Sequence, residues 1–304
     1  MKYPKLPLSL DKQADLLIRR GLVADRDMLV ECFEAVNYYR LSAYWYTFRM
    51  PNDPDDRLMP GTTLETVWHR YTFDRQLRLL VMDAIERVEI AIRTQIVNRH
   101  VLAFGPFGYL DRANLPGISV PDHRRMLEKI RTEAQNSRED FVRHFFRKYT
   151  SETDLPLWMA CELMTFGTML TIFMGLHTRM KKDVAQHYGL TVPVLGSWLR
   201  MLNQIRNICA HHARLWNRVY GVKAVMPEAE THSDWYTPVP VGNDQTFTVL
   251  TLLQYFLKQV ALRSHWKKRL TQLFTDYPDI PLGFMGFPKN WKDCPIWQSK
   301  DQAV

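Results

Sequence analysis

Cysteine is scarce in this chain of 304 residues, and its four cysteines are scattered. Cys32, Cys161, Cys209 and Cys294 lie far apart, and none of them forms a CxxC pair. This spacing excludes a disulfide framework and a zinc ribbon, and it is typical of proteins in a reducing compartment.

Long apolar runs are also missing. The most apolar stretch, 163–176, is shorter than the roughly 20 residues that a membrane-spanning helix needs. The first residues, MKYPKLPLSLDKQADLL, contain prolines and charges where a signal peptide has an unbroken apolar core. We therefore expect a cytoplasmic protein that does not enter a membrane.

Several catalytic motifs are absent. The sequence contains no HExxH, P-loop, GxSxG or GxGxxG motif, so metalloprotease, nucleotide hydrolase, serine hydrolase and dinucleotide-binding functions have no support. Glu86 and Glu89 have the spacing of a carboxylate-bridged metal site, but no Glu-x-x-His motif accompanies them. The sequence predicts neither a metal nor a cofactor.

A helical pattern is present along nearly the whole chain. Leu77, Val81, Ala84 and Val88 recur at intervals of three and four, which is the spacing of one buried helix face. No strand-like alternation persists, and no repeat of roughly 20–50 residues is visible. The pattern predicts an all-α protein with helices over 11–34, 64–103, 122–149, 156–176, 178–188, 193–219 and 246–275.

Two local features refine this prediction. Thr62 or Thr63 is placed to cap the long helix that begins at Leu64. The aromatic segment 35–50 fits no single type of secondary structure.

Basic residues outnumber acidic ones, 40 to 32, and the formal net charge is +8. This balance favours polyanionic partners without identifying one. One short segment concentrates groups that bind phosphate and transfer protons, namely residues 206–218, which read RNICAHHARLWNR.

A helical wheel of the predicted helix 193–219 separates this segment into two sides. One side carries six polar residues without a carboxylate, namely Arg206, Asn207, His211, Arg214, Asn217 and Arg218. Exposed helices usually alternate charge signs, so this composition weakens the alternative of a solvated face of mixed charge. We expect the polar side to bind an anion.

The two adjacent histidines fall on different sides of the wheel. His211 shares the arginine face, whereas His212 projects into the apolar arc. Two interpretations of His212 stay open: a buried or interfacial histidine with a hydrogen-bond partner, and a residue that contacts RNA.

These residue types suit the cleavage of RNA without a metal. Arginine has a planar fork that matches phosphate oxygens, and histidine transfers protons near neutral pH. RNA supplies its own nucleophile, the 2′-hydroxyl, so cleavage needs a base, an acid and a cation over the phosphorane. One helix supplies one histidine, and a symmetric homodimer would supply two.

The same segment resembles known families. Arg206 and His211 stand in an R-x4-H motif with Asn207 after the arginine, which resembles the motif of the HEPN superfamily of ribonucleases. More narrowly, RNICAHHARLWNR resembles the signature of the Abi family (AbiD/AbiF type) of bacterial abortive-infection proteins. Three further stretches resemble blocks of that family in the same order, NYYRLSAYWYTFR at 37–49, YTFDRQLRLLVMDAIERVEIAIRT at 71–94 and LPLWMACELMTFG at 155–167. The resemblance covers roughly residues 15–220.

The resemblance implies a toxin-like, anti-phage role and a HEPN-like helical bundle that works as a homodimer. It also implies a small structured non-coding RNA as the partner that restrains the protein. We accordingly divide the chain into an N-terminal segment, 1–60, packed on the main domain, a HEPN-like domain, 61–220, and a terminal region, 221–304. That terminal region would hold a loop, a basic helix and a tail rich in proline and aromatic residues.

The resemblance further implies roles for individual residues. Arg206 would bind or stabilise the scissile phosphate, His211 would be the acid or base, and Asn207 would orient one of them. The residues expected to hold the RNA backbone are Arg214, Asn217 and Arg218. Because some HEPN domains only bind RNA, the alternative is a non-catalytic protein that senses or sequesters RNA.

Other regions offer weaker candidates for RNA contact. Tyr39 and Arg40 belong to an aromatic cluster that could stack on bases, although core packing is the expected role of most of its rings. An acid-free run, Lys267, Lys268 and Arg269, could contact RNA backbone or could be a basic helix C-terminus that suits the helix dipole. The basic residues of 124–131 alternate with Glu128 and predict a solvated face. We interpret two looser outlines, Arg93-x6-His100 and Arg138-x5-His144, as chance.

Overall fold

The computed structural model describes residues 6–298, and these residues contain twelve α-helices. They form no β-sheet, only three isolated β-bridges. The prediction of an all-α protein is confirmed, whereas the HEPN-like classification stays a prediction. The helices are α1 (Leu10–Arg19), α2 (Arg26–Ala35), α3 (Tyr38–Trp45), α4 (Leu64–Phe104), α5 (Val120–Asn136), α6 (Asp140–Lys148), α7 (Leu157–Leu163), α8 (Phe166–Gly175), α9 (Thr178–His187), α10 (Val192–Ala210), α11 (Thr246–Val260) and α12 (Trp266–Asp276).

The longest predicted helix agrees closely with the structure. Helix α4 begins at Leu64 as expected, and the Thr63 hydroxyl caps it by accepting the Thr66 N–H at 3.1 Å. The segment 35–50, for which the sequence predicted no single type of structure, contains α3 and a short 3-10 turn at 46–48. The Asn37 side chain caps α3.

Four predicted helices are each two helices in the structure. The spans 11–34, 122–149, 156–176 and 246–275 are each interrupted. In two of them, 11–34 and 156–176, a polar side chain caps the second helix. Asp25 accepts the Met28 N–H at 2.9 Å, and the Thr165 hydroxyl accepts the Thr168 N–H at 3.3 Å. An apolar period of 3.6 continues across such caps, so periodicity alone did not reveal them.

The described chain divides into two compact units. The first unit comprises residues 6–79 and 268–280, and the second comprises 80–267 and 281–298. Helix α4 therefore contributes residues to both units. The three-part division at residues 60 and 220 stays a prediction.

The core of the first unit encloses an ion pair. Asp74 accepts hydrogen bonds from the Tyr44 hydroxyl at 2.7 Å and from the Arg78 guanidinium. All three side chains are buried, and Asp74 is fully shielded from solvent. Burial raises the pKa of Tyr44 far above its ordinary value, and the charge of Asp74 acts in the same direction.

We expect Asp74→Ala to lower the free energy of unfolding by about 3–5 kcal/mol, because it leaves the Arg78 charge buried without its carboxylate. Asp27→Ala is the control, since Asp27 is 90% exposed and lies 3.5 Å from Arg26. The control should cost less than about 1 kcal/mol. Urea unfolding measures both variants, and equal effects would contradict a stabilising role for the buried pair.

The core of the second unit is built around α10. Leu195, Trp198, Leu202 and Ile205 are fully buried, and α10 packs against α8, α9 and α11. Trp198 also donates its indole N–H to the carbonyl of Val225 at 2.9 Å, which fixes the loop after α10. The end of α10 is therefore held by packing on several sides.

A buried histidine lies at the end of α4. His100 is fully shielded from solvent, and neither ring nitrogen has a hydrogen-bond partner within residues 6–298. Its ring lies 5.0 Å from that of Phe104, which in turn lies 5.6 Å from the ring of His177. Burial lowers the pKa of His100 to about 4, and the nearby His177 adds to this effect.

This histidine should make stability fall in mild acid. The pKa of His100 is lower in the folded state than its usual value of about 6.5, so the unfolded chain binds the proton more readily. We expect no effect above about pH 6.5, a loss of about 2 kcal/mol by pH 5 and of about 3 kcal/mol near pH 4.

Urea unfolding between pH 4 and 7.5 measures this loss. His100→Leu should flatten that part of the profile whatever its effect at pH 7, whereas the exposed His144→Gln should leave the profile unchanged. An unaltered slope in His100→Leu would contradict this account.

Candidate functional site

Helix α10 ends at Ala210, nine residues before the predicted end at Val219. The His212 N–H donates to the carbonyl of Cys209 and the Ala213 N–H donates to that of Ile208, each at 2.9 Å. This hydrogen-bond pair is the Schellman motif, which requires a left-handed residue between the helix and the following chain. His212 is that residue, with a φ of 56°. The predicted extension to 219 is wrong because the helix ends at this turn. The sequence did not reveal the turn, because histidine occupies a position where glycine is the usual residue.

The three residues of the predicted catalytic set lie at this helix end. Asn207 belongs to the last turn of α10 and Arg206 directly precedes that turn, and His211 follows as the C-terminal cap, with its N–H donated to the Asn207 carbonyl at 3.0 Å. Asn207 and His211 are exposed, and Arg206 is half-buried. We refer to these three residues as the helix-end site.

His212 is exposed, like His211. The expectation that its side chain would enter the apolar arc of a helix is therefore wrong. The physical reason is the left-handed conformation, which turns the chain away from the helical path at this residue. The interpretation of His212 as a residue that contacts RNA stays a prediction.

Arg214, Asn217 and Arg218 reach the surface from a loop and not from a helix face. Leu215 and Trp216 anchor this loop because both are buried, and the Thr246 hydroxyl donates to the Leu215 carbonyl at 3.1 Å. Asn217 is left-handed, with a φ of 49°, and all three polar residues are partly exposed. Their placement on the wheel was wrong, although they still follow the helix-end site in the chain.

A groove beside Arg206 contains the carboxylates that the segment itself lacks. The groove has a volume of about 460 Å³, and its charged lining residues are Asp83, Glu86, Glu89 and Arg93 of α4 with Arg206 of α10. The segment 206–218 thus contains no carboxylate of its own, but α4 supplies acidic groups beside Arg206.

Glu89 is the best-defined member of this groove. It forms an ion pair with Arg93 at 3.0 Å, and both side chains are largely buried. Burial raises the pKa of Glu89, while the positive charges of Arg93 and Arg206 oppose that rise. Arg206 therefore acts on an acidic neighbour of its own chain, and an anionic ligand would compete with that neighbour.

The aromatic cluster of α3 divides into core and surface residues. Tyr44 and Trp45 are buried, which confirms core packing for these rings. Tyr39 is 85% exposed and Arg40 is also exposed. Both residues belong to the first unit, whereas the helix-end site belongs to the second. Their contact with RNA stays a prediction.

The basic run Lys267, Lys268 and Arg269 lies in the first turns of α12. The alternative that this run is a basic helix C-terminus is wrong, because the run lies at the start of α12. Cations at a helix start face the unfavourable end of the helix dipole. Helix α12 begins here since the Ser264 hydroxyl accepts the Trp266 N–H at 3.2 Å. Burial lowers the pKa of Lys267.

The two looser Arg/His outlines occupy ordinary structural positions. Arg93 is tied to Glu89, and His100 is buried in the core. Arg138 and His144 are exposed and lie on either side of the α6 start. Within residues 6–298, no three histidine, cysteine, aspartate or glutamate side chains are grouped to hold a metal ion. In the same part of the chain, no helix combines the length and apolarity needed to cross a membrane.

Most of these elements lie within one family pattern. The sequence model of the Abi-like proteins matches residues 31–217. The chain belongs to the Abi-like protein family. The matched region contains α3 to α10 and ends at Asn217, so the helix-end site lies inside it and the basic start of α12 lies outside it. Family membership indicates a role in abortive infection, a form of defence against phage. Neither a curated protein nor a solved structure matches the chain.

The turn that presents His211 in this Abi-like protein should contain measurable backbone strain. We expect His212→Gly to be more stable than His212→Ala by about 1 kcal/mol, because alanine retains the left-handed penalty and glycine does not. Both variants lose the imidazole, so their difference isolates the backbone. Thermal and urea unfolding measure it, and equal stability would argue against a left-handed residue 212.

Proposed function

We propose that this Abi-like protein binds RNA and cleaves it as a metal-independent endoribonuclease of the HEPN type. The observation that carries the proposal is the helix-end site, where an exposed histidine and asparagine accompany a half-buried arginine at the end of a packed helix. The net charge of +8 favours a polyanionic substrate.

The residues of the site suit the steps of RNA cleavage. A neutral His211 accepts the proton of the 2′-hydroxyl, whose oxygen then attacks the adjacent phosphorus. Arg206 stabilises the negative charge on the phosphorane oxygens, and Asn207 orients the phosphate or the imidazole. A protonated second histidine donates to the leaving 5′-oxygen. The products are a 2′,3′-cyclic phosphate and a 5′-hydroxyl.

A homodimer would provide that second histidine. Ile90 is 51% exposed and borders the groove that also contains Arg206. It also lines a neighbouring shallow depression, of about 760 Å³, together with Leu262, which is 77% exposed. Exposed apolar side chains beside a site are typical of surfaces that associate, and a two-fold arrangement would bring two such sites together.

Control by a small structured non-coding RNA is part of the proposal. Its support is the resemblance to AbiF-type proteins together with the basic charge balance. A bound structured RNA would occupy Arg206 and withhold it from substrate. Residues Arg214, Asn217 and Arg218, in the loop after the site, would then contact the RNA backbone.

The test is RNA cleavage by purified protein in the presence of EDTA. We expect cleavage with 2′,3′-cyclic phosphate ends, reduced roughly 10²- to 10⁴-fold in His211→Ala. Arg206→Ala should reduce it roughly 10²- to 10³-fold. Arg138→Ala and His144→Ala are matched controls, since they remove an exposed arginine and histidine elsewhere in the second unit.

The remaining outcomes discriminate between the proposals. Cleavage that needs a divalent metal, or that survives both site substitutions, would refute the mechanism. Tight, salt-sensitive RNA binding without cleavage, with His211→Ala leaving affinity intact, would establish the non-catalytic alternative instead. Sedimentation of the same samples should show a dimer, and a monomer that cleaves at full rate would refute the shared site.

A further inference from the structure

A second cleft lies in the second unit, between the start of α5, helix α8 and the first half of α10. Its volume is about 480 Å³. Gly117 closes one end of it, because its N–H donates to the Gly175 carbonyl at 2.9 Å and an added Cβ would lie 2.4 Å from the Met174 carbonyl oxygen. The backbone approach at this end therefore needs glycine.

The charges that line this cleft are mainly positive. Arg125, Lys129 and Arg200 line it, and Asp122 is the carboxylate among the lining residues. Asp122 is paired with Arg125. Lys129 donates to the Thr165 hydroxyl at 3.1 Å, and Arg200 contacts the Met174 sulfur at 3.7 Å. Neither Lys129 nor Arg200 forms an ion pair within residues 6–298, so both charges are available to an anion.

The rest of the lining consists of apolar side chains, glycines and the hydroxyl side chains of Ser119, Thr168 and Thr171. Ile118, Met126, Leu170 and Met174 form apolar surface, and Gly167 adds no side chain. Cations beside an apolar surface suit a nucleotide, because the phosphate pairs with the charge and the sugar or base covers the apolar side chains. This combination distinguishes the cleft from a merely solvated basic face.

Helix α10 connects the cleft with the helix-end site. Arg200 and Arg206 are separated by about 9 Å along the helix axis, at about 1.5 Å per residue. At 100° per residue, Asn203 and Asn207 lie on the arc between these two arginines. Asn203 is adjacent to Gly167, since a Cβ there would lie 3.6 Å from the Asn203 amide oxygen. A polar strip thus leads along α10 from the cleft to Asn207.

We propose that this cleft binds phosphodiester groups of a single-stranded RNA and guides the strand along α10 to the helix-end site. Lys129 and Arg200 hold the phosphates, and the apolar surface accommodates a sugar or base. The inference rests on the proposed function for the identity of the ligand as RNA. It does not require that the RNA be cleaved.

The experiment measures the affinity of a fluorescent single-stranded RNA by anisotropy, in a His211→Ala background that keeps the RNA intact. We expect the double variant Lys129→Gln/Arg200→Gln to bind roughly tenfold more weakly or worse. For this variant, the slope of log affinity against log salt concentration should be shallower by about 1.4, because two phosphate contacts with the single strand are lost. The control is Arg124→Gln/Lys182→Gln, which removes the same charge from exposed positions outside the cleft.

Thermal unfolding checks that both double variants fold. An equal loss of affinity in the control would overturn the proposal, since only net charge would then matter. Unchanged RNA binding in the cleft variant would also overturn it. This holds even if the same variant no longer binds a mononucleotide tested in parallel. If the protein with an intact His211 binds RNA without cleaving it, the nuclease proposal fails and the cleft is still judged by these affinities.

Discussion

The packing of helix α10 is the constraint on which the candidate site depends. Its apolar face fills the core of the second unit, and Trp198 and Ile205 are fully buried there. Because that face cannot rotate without exposing large side chains, the opposite arc always presents Arg200, Asn203 and Asn207. The Schellman turn then stops the helix and leaves His211 at the surface. Burial on one side thus fixes the geometry of the polar groups on the other.

Electrostatics at the site come from two helices. Viewed along α10 alone, the arginines have no counter-ion, but α4 places Glu89 and its neighbours in the same groove as Arg206. Burial would favour a neutral Glu89, and the two arginines favour the charged form. The free protein therefore already satisfies part of the charge of Arg206. A polyanion must offer more than this carboxylate does, which favours ligands that make several contacts at once.

Much of the fold follows from local sequence signals, and the exceptions have identifiable causes. The α4 helix was predictable because Thr63 caps it and its apolar residues keep one period. The helices on either side of Asp25, and those on either side of Thr165, were each predicted as one helix, because a polar cap leaves that period unbroken. At α10, the candidate residues were chosen from composition, spacing and the family resemblance, and none of these predicted their arrangement. His212 adopts a left-handed conformation, and a histidine in the sequence does not predict one, because glycine is the usual residue at such a position.

The loop that follows the site depends on chain beyond the family match. That match ends at Asn217, yet the Leu215 carbonyl accepts its hydrogen bond from Thr246, and Trp198 donates to Val225. These later residues lie in a part of the chain that the family pattern does not describe. The loop after the site therefore takes part of its support from outside the matched region. A truncation after Asn217 would remove these two hydrogen-bond partners, and Arg218 with them, while keeping Arg206, Asn207 and His211.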